Sequence, residues 1–162
     1  MVSSSLLAAL ALLAAEPAYR SAWVDNSGQL HIVLSSGKEV LPRKADGQVS
    51  FGDPVISADH RTVAWLALYP DPTPGYDYPL DPIPSALVIF RSDRVLHTFS
   101  TGQIFWDWEF QDGDKRVAYS AGPMHGGAAE CVLRDVDSGN IVARWSVRSG
   151  GEPPEWAQNL RR

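Results

Sequence analysis

Three tetrapeptides restrict this chain more than any other feature: Ser21-Ala22-Trp23-Val24, Val63-Ala64-Trp65-Leu66 and Val117-Ala118-Tyr119-Ser120. Each sets a small residue before an aromatic one in a β-prone setting. Beyond residue 20 the apolar residues fall in short or alternating runs broken by turn residues, a pattern that suits strands and not amphipathic helices. The 13 glycines and 12 prolines fit many turns. One signature in three places predicts an all-β repeat architecture.

A second signature follows each copy: an apolar strand, a tight turn and another strand. The copies are Leu30–Leu34 turning at Ser35-Ser36-Gly37-Lys38, Leu87–Phe90 turning at Arg91-Ser92-Asp93-Arg94, and Cys131–Leu133 turning near Asp137-Ser138-Gly139-Asn140. Gly and Asn tolerate the positive φ that hairpin turns demand, so the first and third turns are the better explained. A third element, an apolar strand end followed by an acidic turn and a basic residue, precedes two of the small-aromatic strands, at Ile56–Val63 and Phe110–Val117. Each unit is therefore expected to hold four antiparallel strands, over about 19–55, 56–109 and 110–149. The first unit lacks its leading strand. The tail, 150–162, either ends as a polar terminus or supplies that missing strand, within one chain or across a homodimer.

The order apolar–Ser–x–Asp–x–Arg–x–Val–Ala–Trp, read at Ile56–Trp65, resembles the WD40-like repeat of TolB-type β-propellers, as do the spacer, apolar strand, turn and closing strand after it. The likeness covers Ser21 to Val147. The Asp-Gly of the typical turn stands only as Asp112-Gly113, and the second unit has Ala58-Asp59-His60 instead. The resemblance implies propeller-blade-like units in a periplasmic or secreted scaffold, or in the non-catalytic portion of a larger enzyme.

Residues Leu6–Ala15 form an apolar run about as long as a signal-peptide core and too short to cross a bilayer. An exported protein with a signal peptide over 1–18 is the expectation; an Ala/Leu-rich helix packed on the domain is the alternative. The formal charge of −5, with scattered Lys and Arg, argues against a nucleic-acid partner. The single cysteine, Cys131, excludes an intramolecular disulfide and reads as a buried strand residue.

Tyr69–Pro84 holds six prolines and predicts a surface loop on the β framework. Loops so held often bind partners. Tyr76, Asp77 and Tyr78 are the first candidate contact residues, because tyrosine gives large contact area at small entropic cost. The strictly alternating Ile104–Phe110 is expected to place Ile104, Trp106, Trp108 and Phe110 on one face and Phe105, Asp107 and Glu109 on the other. Core packing accounts for the aromatics; exposed, Trp106, Trp108 or Trp156 would stack on sugars. Asp107 and Glu109 lie about 7 Å apart along a strand, within glycosidase range, but any alternating strand gives that spacing. His125-Gly126-Gly127 resembles an esterase oxyanion stretch but has no Gly-x-Ser-x-Gly nucleophile elbow beside it. The four histidines share no metal-ligand spacing, and no cofactor motif occurs. A protein-binding module with no cofactor is the leading expectation, with carbohydrate or cell-wall binding second and hydrolysis third.

Overall fold

The computed structural model describes residues 18–71, 81–124 and 127–160. The expected signal peptide therefore lies outside the described residues, apart from Ala18. What is described is all-β, in three antiparallel sheets. The first sheet contains β1 (Tyr19–Val24), β2 (Leu30–Leu34) and β3 (Glu39–Val40) in the order β1-β2-β3. The second contains β4 (Ser50–Phe51), β5 (Val55–Ile56), β6 (Val63–Tyr69), β7 (Ile83–Arg91) and β8 (Arg94–Ser100). The third contains β9 (Ile104–Gln111), β10 (Arg116–Gly122), β11 (Glu130–Asp135) and β12 (Ile141–Ser146), paired in sequence order.

The expected four strands per unit are thus three, five and four. β4 and β5 both pair with the same edge of β6, opposite Leu68/Ala67 and Ala64/Val63, so they form one leading strand in two pieces. Gly52, Asp53 and Pro54 divide it, and a proline has no N–H for the ladder. Among the described residues the first sheet has no leading strand. The break between the second and third sheets falls before Ile104 and not near residue 110, because β9 pairs with β10 along its whole length.

Alternation along each strand sends alternate side chains to opposite faces, and the faces stack. The core between the first and second sheets joins Tyr19, Leu30, Ile32 and Leu34 to Val63, Trp65, Val88 and Phe90. The other face of the second sheet carries Ala64, Leu87 and Ile89, which meet Phe105, Val117, Tyr119 and Val132 of the third. In both the second and third sheets the signature aromatic faces the preceding sheet, while Ala64 and Ala118 face away from it. Polar links run between the hairpin turns of successive sheets. The hairpin turn of the first sheet reaches that of the second through Lys38 Nζ and Asp93 Oδ2, 2.7 Å apart. The turn of the second reaches that of the third through Arg91 and Asp137.

The outward face of the third sheet is covered by the tail. Residues Glu155–Ala157 form a 3-10 turn, and Ala157 and Leu160 are buried against Ala118, Cys131 and Leu133. The described part of the tail therefore does not act as a donated strand. Its apolar residues are used on the chain's own third sheet, and Cys131 is buried beneath them, as expected of it.

Candidate functional site

β6 leaves the second sheet at Tyr69 and β7 enters it at Ile83, at the end where the 101–103 connection enters β9 and β10 leaves the third sheet. Pro70 ends the β6 ladder for want of an N–H. Between these elements lies a cleft of about 410 Å3, with Tyr69, Pro70, Ile83, Ile104, Pro123 and Met124 as apolar walls. Asp71, Ser85 and Gln103 add polar groups. Gly102, at φ 69°, permits the turn on one side. Gly122 is required on the other, because a Cβ there would stand 3.0 Å from Ala129 Cα and 3.1 Å from Trp106 Nε1.

Two of the cleft's walls are the roots of the proline-rich segment. Tyr76, Asp77 and Tyr78 lie outside the described residues. The segment is shorter than its sequence suggests: Tyr69 completes β6, and Ile83–Ser85 begin β7. Pro84 is accommodated in a strand because the register shifts there, Leu68 facing Pro84 while Ala67 faces Ala86. Such a bulge suspends the ladder for one residue.

A second bulge corrects the reading of Ile104–Phe110. Ser120 faces Asp107 but Ala121 faces Phe105, which leaves Trp106 as the extra residue. Phe105 is thereby turned to the same side as Trp108 and Phe110, in the core between the second and third sheets. Trp106 is 40% exposed. Trp108 is half-buried, edge-on to Phe110 at 5.6 Å, and is a packing residue. Trp156 is half-buried against the third sheet. Asp107 and Glu109 do share a face, opposite Ser120 and Ala118. Each has a local bond: Asp107 Oδ1 accepts from the Trp108 N–H at 2.9 Å, and Glu109 Oε1 from Gln111 Nε2 at 2.6 Å.

His125 and Gly126 lie outside the described residues. Two of the remaining histidines join sheets together. His60 Nδ1 lies 2.8 Å from the Tyr19 carbonyl, and His97 Nε2 lies 3.0 Å from that of Asp137. Among the described residues no three His, Cys, Asp or Glu side chains are grouped to hold a metal ion.

One cluster was not legible as a site in the sequence. On the outward face of the first sheet Trp23 stacks on His31, with centroids 5.0 Å apart and planes 6° from parallel. His31 Nδ1 lies 2.7 Å from Glu39 Oε1, and Nε2 lies 3.1 Å from Asp25 Oδ2. These bonds, Glu39 first, raise the pKa of the imidazole. Asp25 is held well below the usual carboxylate range, first by the Gln29 N–H, then by Ser27 and His31. The Ser27 hydroxyl bonds Asp25 and not His31, so these residues do not form a nucleophile–base pair. The signal available was the turn Asp25-Asn26-Ser27-Gly28 after the first small-aromatic strand.

The chain matches no protein-family model and no curated protein. Among the described residues no helix is long and apolar enough to cross a membrane.

Proposed function

We propose that the protein is a non-catalytic, extracytoplasmic interaction module. Its three stacked sheets are successive blade-like units of the TolB-type kind, and it holds a protein partner in the cleft between the second and third. The observation that carries this reading is the cleft itself: apolar walls contributed by two sheets, at the end from which the proline-rich segment springs. A concave apolar site with a few polar groups, set on rigid strands and flanked by a loop, suits a segment of another protein. The blade reading is supported by the equivalent placement of Trp65 and Tyr119, each facing the preceding sheet, and by polar links between successive hairpin turns.

The test is partner capture from the extracytoplasmic fraction of the source cells by tagged protein, with cross-linking and mass spectrometry. Replacing 72–80 with a short Gly/Ser linker spares β6 and β7, and Met124→Asp places a charge in the cleft at a half-buried position. Both variants are expected to keep the β circular-dichroism spectrum and lose the captured partner. Capture by both at the original level sinks the reading. The 40% exposure of Trp106 favours one alternative, carbohydrate or cell-wall binding. Sedimentation with purified peptidoglycan that Trp106→Ala abolishes would favour this over a protein partner.

A further inference from the structure

The strands bearing the signature aromatics of the second and third sheets are paired on both edges: β6 by β4/β5 and β7, β10 by β9 and β11. β1 is their counterpart and pairs with β2 alone; among the described residues no strand lies on its other edge. Its start is taken, because the Tyr19 N–H donates to the His60 carbonyl at 2.7 Å. A register shift at Arg20 then separates that start from Ser21–Val24, which stay in regular pairing with β2. Among the described residues no layer covers the outward face of this sheet. Trp65 and Tyr119 are 2% and 1% exposed beneath the preceding sheet, whereas Trp23 is 42% exposed.

We propose that Ser21–Val24 accept an extended segment of a partner protein by β-strand addition, and that this segment alternates apolar and basic side chains. An unpaired strand edge offers its backbone donors and acceptors as a template, and the side chains beside it set which sequences are taken. On one side the added strand would follow Ala22 and Val24, which pack against the core between the first and second sheets. Apolar side chains continue that layer. On the other side it would follow Trp23, with the carboxylate of Asp25 just beyond the end of β1 and that of Glu39 farther off on β3. Even a protonated His31 supplies only one positive charge between those two carboxylates, so the cluster remains anionic. A Lys or Arg there meets an indole face and carboxylates together, and a Glu or Asp is repelled. Arg20, at the bulge, disfavours a basic residue at that end and so helps to set the register. This surface belongs to the first sheet and is separate from the cleft, so the two proposals stand or fall independently.

The probe is a dye-labelled eight-residue peptide alternating Val and Lys, compared with the same peptide carrying Glu for Lys. Binding to the full chain is read by fluorescence anisotropy at physiological salt, and amide exchange by mass spectrometry. The Lys peptide is expected to bind at least tenfold more tightly than the Glu peptide and to slow exchange at 21–24. Trp23→Ala and Asp25→Asn should each weaken it severalfold; Trp23 is outward-facing and Asn keeps the oxygen that accepts from Ser27 and Gln29, so the fold should survive. Replacing 72–80 should leave this binding unchanged. Equal binding of the two peptides, or slowed exchange in the cleft and not at 21–24, overturns the proposal. So does protection of 21–24 in the peptide-free protein that grows with its concentration or vanishes on removing residues 1–17. Those results would assign the edge to a second copy or to the chain's own leading segment.

Discussion

The tail that covers the third sheet is expected to control access to Cys131, and the size of that control follows from two buried side chains. Cys131 has no exposed surface, Ala157 has none and Leu160 has 4%. A thiol so placed reacts only when its cover opens, so its labelling rate is the exposed-thiol rate multiplied by the opening equilibrium. Leu160→Ala removes a buried leucine at the rim of the fold, where neighbours can relax, so the cost falls near the lower end of the usual range, about 2 kcal/mol. At about 1.4 kcal/mol per tenfold, opening becomes roughly 30-fold more frequent. Deleting 153–162 should bring the rate close to that of an exposed thiol. The assay is reaction with an aromatic disulfide reagent in native buffer, with urea unfolding of each variant in parallel. The cover should open without the sheets, so labelling should accelerate far more than the urea midpoint falls. An unchanged rate in the deletion, or acceleration matched by lost global stability, refutes the view that the tail is a separate lid.

Further outcomes follow from individual contacts in the fold. Arg91 donates to Thr62 Oγ1 through Nε at 3.0 Å and Nη2 at 2.8 Å, and Thr62 is fully buried, so Arg91→Ala should cost about 1–3 kcal/mol in urea unfolding. Lys38→Ala breaks only the more exposed turn-to-turn pair and should cost no more than about 1 kcal/mol by the same measurement. Gly122→Ala forces a Cβ against the Ala129 backbone and the Trp106 ring; a cost of about 1–3 kcal/mol and a changed Trp106 emission are expected. His31 has a raised pKa, so its stabilising bonds are fully present below its unfolded value of 6.5 and are lost as pH rises through the higher folded value. Melting temperature should therefore decline over that window in the native chain, and His31→Gln should flatten the decline. Asp25 acts at the other end, its contribution fading as pH falls below 3.8 toward its lowered value.

The β6 and β10 strands were legible because a small residue before an aromatic solves the same packing problem in both sheets, the large side chain toward the preceding layer and the small one toward the next; β1 carries the same pair with Trp23 facing outward. The hairpins after them were legible where Gly37 and Gly139 adopt positive φ. The middle hairpin was the harder one. Ser92 and Asp93 both take positive φ, at 53° and 58°, without a glycine. The turn is held by its neighbours: Tyr19 Oη accepts from the Asp93 N–H at 3.2 Å, and the Asp93 carboxylate pairs with Lys38. Tertiary contacts override local preference there, and a local reading of sequence has no access to them. The face of Trp106 escaped for a related reason. Alternation predicts a face only while the register is constant, and the slip between Ser120 and Ala121 depends on β10, the partner strand, and not on Ile104–Phe110 itself.

The most informative residue is Trp23, whose signature matches that of Trp65 and Tyr119 and whose surroundings do not. His31 stands opposite Trp23 where Val88 stands opposite Trp65 and Val132 opposite Tyr119. Polar substitution at that place fits a face that meets water in the isolated chain, while the retained tryptophan leaves an apolar surface for contact. The other end of the stack is treated differently: Ala118, Cys131 and Leu133 are apolar, and the chain supplies its own cover in Ala157 and Leu160. Among the described residues, then, one outer sheet is covered by the tail, while the other presents Trp23 amid polar side chains. That asymmetry favours the first sheet over the third for the strand addition proposed above.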